Sequence, residues 1–264
     1  MTAVARERRQ TLLFLGELRP FAPVFLDTEV DMTGVRVHQA DARRRGDRYS
    51  TISYVLHAAA RVLIDHPDAN AAIRGRVFPR VARYPAANGK IALDKTLDGS
   101  RAVVSTVLRD LQDATLAEIQ ERIDYFRDGD ARQQPEFAGV RALQRMPWPL
   151  RPLLFRLGVR PLSRRHTMFG TFAVSSLGHR AVDGFHAIGG TTVTLGLGRV
   201  VDRPVARDSR VVIAPMMRLN LAFDHRVVDG AEAADVLTEI KDSLERFGVS
   251  RGEAAAAPAV ARAR

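Results

Sequence analysis

The stretch LNLAFDHRVVDGA, residues 219–231, decides how the fold is interpreted. Its opening residues alternate between apolar and polar side chains, which predicts a strand that ends at Phe223. The turn that follows concentrates five residues with polar or turn-forming character: Asp224, His225, Arg226, Asp229 and Gly230. Apolar residues then recur at helical spacing over 231–247, which predicts a helix. The stretch is therefore a strand, a charged turn and a helix.

The charged turn holds a candidate catalytic residue. The imidazole of His225 can act as a general base near neutral pH, because its ordinary pKa is about 6.5. A nearby carboxylate, Asp229, could fix the tautomer of the ring or order the turn. Two plainer interpretations stay open. Asp229 and Glu232 have the D-x-x-E spacing of a helix cap, and His225 could be an ordinary turn histidine.

Strands and helices are mixed along the rest of the chain. Helices are predicted over 6–21, from Ser50 to just before Pro67, and over 113–126. The predicted strands cover 24–32, 77–81, 90–93, 102–108, 170–175, 191–197, 210–214 and 218–223. Because the order lacks strict βαβ alternation, we expect an α+β domain with a mixed sheet in layers.

Composition limits the classes of function. The chain has 264 residues, no cysteine and a formal net charge of +10. The absence of cysteine excludes disulfides, thiolate metal sites and a cysteine nucleophile in this chain, and it fits a cytoplasmic protein. Only 6% of residues are aromatic, and no zinc-finger or RNP-type spacing is present, so we expect no sequence-specific nucleic-acid binding. No two histidines have metal-ligand spacing, and we expect no metal site.

Common nucleotide and hydrolase motifs are absent from the sequence. There is no GxxxxGK[ST], GxGxxG, HExxH or GxSxG pattern. Gly196 and Gly198 form only a G-x-G fragment, which is weak evidence for a binding loop.

The stretch 139–165 carries seven arginines and no acidic residue. Basic residues beside Trp148 and a patch of leucines suit an interfacial or partner-binding segment, including one at a membrane surface. A plainer interpretation is a pair of short surface helices whose apolar face covers the core. Both interpretations stay open.

Several segments together resemble one known family. FDHRVVDGA at 223–231 is similar to the signature of the catalytic domain of 2-oxo acid dehydrogenase acyltransferases (E2, the dihydrolipoamide acyltransferases). TEVDMT at 28–33, the helix from Tyr49 with Pro67 and Asn70 after it, TFAVSSLG at 171–178 and LGLGRVVDRP at 195–204 agree in order. The resemblance covers residues 10–247 and is poorest around 135–168.

The resemblance implies a fold and a mechanism. The fold would be the layered α+β fold of chloramphenicol acetyltransferase, with a mixed sheet and flanking helices. His225 would be the general base that deprotonates a thiol, either coenzyme A or dihydrolipoamide. Ser175 would donate a hydrogen bond to the tetrahedral oxyanion, with the adjacent Ser176 as the alternative donor. Asp229 would support the turn and the geometry of His225, through an arginine such as Arg226.

The resemblance also implies an assembly and partners. Family members form trimers whose active sites lie between subunits, so we expect a homotrimer or a higher assembly. Coenzyme A or its acyl thioester would be a substrate. No lipoyl-lysine context surrounds Lys90 or Lys95, so we expect no covalent lipoyl group on this chain and a lipoyl-bearing partner on another. The expected domain spans 1–247, with 139–165 as an arginine-rich insertion and 248–264 as a disordered tail. The alternative is a catalytically silent trimeric scaffold or docking protein.

Overall fold

The computed structural model describes residues 8–75, 77–97, 100–130, 133–147 and 149–247. The tail predicted over 248–264 lies outside these residues. Within the described residues the helices are α1 (Arg8–Glu17), α2 (Thr33–Arg44), α3 (Thr51–Asp65), α4 (Leu116–Asp128), α5 (Ala138–Arg145), α6 (Arg151–Val159), α7 (Leu162–Phe169) and α8 (Gly230–Glu245). The strands are β1 (Pro23–Asp31), β2 (Ala71–Arg74), β3 (Arg80–Arg83), β4 (Gly89–Leu97), β5 (Ser100–Leu108), β6 (Phe172–Ser176), β7 (Val193–Arg207) and β8 (Arg210–Asp224).

Six strands form one mixed sheet in the order β1-β8-β7-β6-β4-β5. Strand β6 runs parallel to both β4 and β7, and the other neighbours are antiparallel. Strands β2 and β3 form a separate two-stranded sheet. The predicted α+β class with a mixed sheet is confirmed.

One face of the large sheet carries the hydrophobic core. Successive residues of a strand point to opposite faces of the sheet. The fully buried Ile91, Val174, Leu195, Leu219 and Leu221 all lie on the same face. Helices α2, α3, α4 and α8 form the layer on this side, with α3 packed between α4 and α8. The capping box of Thr115 and Glu118 begins α4, and the Ser50 hydroxyl accepts from the Ser53 amide to begin α3.

The opposite face of the sheet is covered by α1, α7 and the segment 183–190. This segment lies directly on β7: a Cβ at Gly196 would overlap the carbonyl oxygen of Phe185, and one at Gly198 would overlap that of Asp183. The G-x-G fragment therefore lets one backbone approach another, and it does not mark a phosphate-binding loop.

Two sequence-based strand boundaries are corrected, and one helix is added. The strands predicted over 210–214 and 218–223 are one strand, β8. Pro215 is tolerated inside β8 because the hydrogen-bonding edge of its backbone faces Met32, just beyond the end of β1. The missing N–H of the proline therefore removes no hydrogen bond between strands. The strand predicted over 77–81 is β3 at Arg80–Arg83, set by its pairing with β2. Helix α2 was not predicted.

We predict that Gly198→Ala lowers the free energy of unfolding by about 1–3 kcal/mol, since the backbone of the covering segment must move to accommodate the methyl group. Gly16→Ala in α1 is the matched control, because no atom of the described residues, apart from its chain neighbours and its own helix backbone, lies within 4 Å of an added Cβ there. We expect it to be neutral or to stabilise the protein by up to about 1 kcal/mol. Urea denaturation at equal protein concentration measures both; equal stability of the two variants would contradict the close approach.

Candidate active site

Backbone hydrogen bonds fix the turn after β8. The amide of Asp224 donates to the Thr192 carbonyl at 2.9 Å, and that of His225 donates to the Ala22 carbonyl at 2.9 Å. The amides of Val227 and Val228 then donate back to the carbonyl of Asp224. The side chain of Val228 is buried in the core. The turn is therefore held to its neighbours on both sides of His225.

The Asp224 carboxylate is the polar centre of this turn. It is only 3% exposed. It accepts from Arg226 Nε at 2.8 Å and from Arg226 Nη2 at 2.5 Å, a bidentate geometry that is both strong and directional. It also accepts longer bonds from the amides of Arg226 and Ala22. The pair closes the turn onto the segment before β1.

His225 projects from this turn into solvent. Its side chain is 46% exposed, and its ring lies against Phe223 with 5.4 Å between centroids. Nδ1 is 3.8 Å from Oδ1 of Asp229, which is an electrostatic contact and too long for a hydrogen bond. Among the described residues, neither ring nitrogen has a hydrogen-bond partner, so the imidazole is available to a ligand.

Asp229 is the N-cap residue of α8, but its side chain makes no capping hydrogen bond. The D-x-x-E capping interpretation is wrong, because Glu232 binds Nδ1 of His66 at 2.8 Å instead. The expected link through Arg226 is wrong as well, since Arg226 is bound to Asp224. Asp229 is 92% exposed and contacts His225 directly.

The two candidate serines at the end of β6 differ in their surroundings. Ser176 Oγ accepts from the amide of Gly178 at 3.3 Å and so belongs to the local turn. Ser175 is half-buried and lines a cavity of about 1070 Å³ that extends around the edge strand β5 to core residues such as Phe126 and Phe137. Of the two, only Ser175 lines this cavity.

Ser175 and His225 do not meet within one chain. Ser175 is in register with Gly196 of β7, and Gly196 is in register with Asn220 of β8. His225 lies five residues beyond Asn220. The separation along the strands is therefore roughly 16 Å, with about two strand spacings in addition.

The cavity beside Ser175 is lined by β4, β5, β6 and by helices α1, α4, α6 and α7. Aromatic and aliphatic side chains dominate near α1, α6 and α7: Phe14, Leu154, Phe155, Val159 and Phe169. Lys90 lies in the wall that also carries Ser175. In the sequence Lys90 stands out only by lacking a lipoyl-lysine context, and its position in this wall was not predicted. One feature could have indicated it: Lys90 begins a predicted apolar strand in a chain that has only three lysines.

The arginine-rich stretch 139–165 forms three helices rather than a pair. Arg156 and Arg160 both bind the carboxylate of Glu17 in α1, and Arg165 is half-buried, with Nη2 donating to the Gly190 carbonyl at 2.7 Å. Val159 is buried. Part of the stretch therefore packs on the domain, as the plainer interpretation predicts, while Leu150, Leu153 and Leu157 remain exposed.

Within the described residues, no group of histidine, aspartate and glutamate side chains could hold a metal ion. No helix in the same part of the chain has the length and apolar character needed to cross a membrane.

Residues 159–249, which contain Ser175, His225 and Asp229, match the family model described as 2-oxoacid dehydrogenases acyltransferase (catalytic domain). This part of the chain is similar to that catalytic domain. The family resemblance predicted from the sequence is confirmed.

Curated relatives extend the similarity beyond the matched segment. The dihydrolipoyllysine-residue succinyltransferase component of the 2-oxoglutarate dehydrogenase complex of Pseudomonas aeruginosa is 28% identical over 238 residues, which are 88% of this chain and 49% of that protein. The dihydrolipoyllysine-residue acetyltransferase component of the pyruvate dehydrogenase complex of Corynebacterium glutamicum is 27% identical over 82% of this chain and 29% of its own length. The chain thus spans half or less of these two relatives.

Solved structures agree on the fold. The cubic core of a pyruvate dehydrogenase multienzyme complex has a TM-score of 0.68 at 18% identity, covering 93% of this chain and 90% of that one. Dihydrolipoamide acetyltransferase from Azotobacter vinelandii has a TM-score of 0.68 at 19% identity, covering 93% and 91%. Chloramphenicol acetyltransferase has a TM-score of 0.50 at 14% identity, covering 92% and 99%. The expected chloramphenicol acetyltransferase-like fold is confirmed.

We predict that Asp224→Asn lowers the free energy of unfolding by about 1.5–3 kcal/mol, because a nearly buried carboxylate that accepts two bonds from a guanidinium loses its charge. Asp229→Asn is the control and should change stability by no more than about 0.5 kcal/mol, since that side chain is exposed. Chemical denaturation at a fixed protein concentration compares the two variants; a larger loss for Asp229→Asn would refute the assigned roles.

Proposed function

We propose that this protein is an acyltransferase that moves an acyl group between coenzyme A and a thiol of the dihydrolipoamide type, with His225 as general base. The observation that carries the proposal is an exposed imidazole without a hydrogen-bond partner among the described residues, on a turn that Asp224 and Arg226 hold rigid. It lies in the segment that matches an acyltransferase catalytic domain.

The chemistry follows from these groups. The imidazole takes the proton of the attacking thiol, and the thiolate adds to the carbonyl carbon of the acyl thioester. A hydrogen bond from the Ser175 hydroxyl stabilises the oxyanion that forms, a contribution of about 2.7–4 kcal/mol in comparable sites. Collapse of the tetrahedral intermediate breaks the original C–S bond. The departing thiolate then takes the proton back from the imidazolium.

The proposed site lies between subunits. His225 and Ser175 are too far apart in one chain to act on the same carbonyl, but a cyclic trimer can place the histidine of one subunit beside the serine of the next. The similarity to a subunit of a cubic multienzyme core supports an assembly of this kind.

The residue types of the proposed site have support from a relative. The structural study of the Azotobacter vinelandii enzyme concerned a serine, a histidine and an asparagine four residues after that histidine in the catalytic mechanism. Asp229 has the same spacing from His225. We propose that Asp229, a carboxylate in place of an amide, orients the imidazole through its 3.8 Å contact.

The curated relatives indicate a class of acceptor. Both curated relatives act on a dihydrolipoyllysine residue as succinyl- or acetyltransferases. We propose that a lipoyl-bearing partner on another chain presents the thiol to this protein, and that coenzyme A is the second substrate.

We predict that His225→Ala lowers the rate of acyl transfer from acyl-coenzyme A to dihydrolipoamide by about 10²–10⁴-fold, the usual contribution of a general base. Release of free coenzyme A measures the rate. The fold and the assembled mass should be unchanged, since the side chain is exposed and makes no hydrogen bond to the described residues.

His38→Gln is the matched control for this experiment. His38 lies on α2, in the helical layer on the core side of the sheet. Its ring forms a 2.7 Å hydrogen bond with the hydroxyl of Tyr54. This variant should keep its activity. Equal activity of wild type and His225→Ala would remove the catalytic assignment, and no transfer in wild type would favour the silent scaffold.

A further inference from the structure

Lys90 is a buried cation without a carboxylate partner among the described residues. The residue is 9% exposed. Nζ donates to the carbonyl of Gly189 at 2.8 Å and lies over the rings of Phe14 and Phe169, 4.4 and 4.1 Å from their centroids. No acidic side chain among the described residues lies within ion-pair distance of it. A buried charge without a counter-ion is costly to keep in a folded protein.

A second positive charge close to Lys90 favours a bound anion more strongly. The guanidinium of Arg165 lies over the same Phe169 ring, 4.8 Å from its centroid. Burial and, to a smaller degree, Arg165 lower the pKa of Lys90 to about 7. A bound anion would restore the full positive charge on the lysine.

The position of Lys90 relative to Ser175 indicates which anion is suitable. Lys90 is in register with Ala173 of β6, so Ser175 is its diagonal neighbour on the same face, with Cα atoms about 7–8 Å apart. Both residues line the same cavity, whose walls near Phe14, Phe155 and Phe169 are apolar. An acyl chain whose carbonyl lies at Ser175 would direct its far end along this wall toward Lys90.

We propose that Lys90 is a specificity-determining residue that binds the terminal carboxylate of a short dicarboxylic acyl group, held as its coenzyme A thioester. This proposal rests on the proposed function, because it takes the cavity beside Ser175 as the acyl site. The carboxylate accepts hydrogen bonds from the ammonium group, and the methylene groups lie against the apolar wall of the cavity.

The test measures equilibrium binding without an acceptor, so that it does not depend on turnover. Succinyl-coenzyme A and butyryl-coenzyme A are the probes, since they share four acyl carbons and only one has a terminal carboxylate. By calorimetric titration, wild type should bind the succinyl thioester at least about 10-fold more tightly, the scale of a charge-assisted hydrogen bond. Lys90→Met should abolish this preference and keep its affinity for butyryl-coenzyme A.

Lys241→Met is the matched control. It removes one positive charge from α8, where Lys241 pairs with Glu245, and it should keep the wild-type preference. Persistence of the preference in Lys90→Met, its loss in Lys241→Met, or its absence in wild type overturns the proposal. Because binding is measured, an inactive protein with a Lys90-dependent preference would refute only the proposed transfer reaction.

Thermal unfolding without ligand separates recognition from a structural role. Lys90→Met should be as stable as wild type or more so, because no carboxylate loses its partner and an unpaired charge is removed. A large fall in melting temperature would show that the lysine serves the packing of Phe14 on Phe169 and would overturn the proposal. If Lys90→Met does not fold, Lys90→Gln in the same binding assay decides the question.

Discussion

The bidentate contact between Asp224 and Arg226 is the interaction on which the candidate site depends. It is formed at the last residue of β8, where the sheet ends and α8 has not yet begun. The carboxylate also accepts from the segment before β1, so the turn, the edge strand and the start of α8 form one rigid unit. His225 lies between the two members of the pair, and its backbone amide is held by the Ala22 carbonyl. Its ring nitrogens are therefore available to a substrate, as a general base requires.

A second constraint shapes the other half of the site. The segment 183–190 lies so close to β7 that only glycine fits at 196 and 198. This close approach brings the Gly189 carbonyl to Nζ of Lys90 and leaves Ser175 in the wall of a cavity. The same face of the sheet thus holds the Ser175 hydroxyl and the Lys90 ammonium group, to which we assign the oxyanion and the acyl carboxylate in our proposals. The histidine that would complete the chemistry is too distant in the same chain, so the geometry favours a site shared between subunits.

The sequence predicted the elements whose information is local. The alternation before Phe223 and the helical spacing after Gly230 placed the end of β8, the charged turn and α8 correctly, although β8 itself was predicted as two strands. Helix α2 was missed because its buried stripe includes the polar Gln39 and its first turn includes Gly34, which is needed where the backbone of Phe247 comes close. The partners of Arg226 and the burial of Lys90 depend on contacts far apart in sequence. Phe14 lies far before Lys90 in the sequence and Phe169 lies far after it. No spacing rule predicts that both rings contact this lysine.

Complementation between two inactive variants tests the shared site most directly. His225→Ala and Ser175→Ala chains with different tags are co-expressed, and hybrid assemblies that carry both tags are purified. In a cyclic trimer, every hybrid contains one interface with an intact histidine and an intact serine, so we expect roughly a third of the wild-type rate of acyl transfer. Each variant alone should be slower than wild type by about 10² or more. Hybrids that are as inactive as the separate variants would contradict a site built from two subunits.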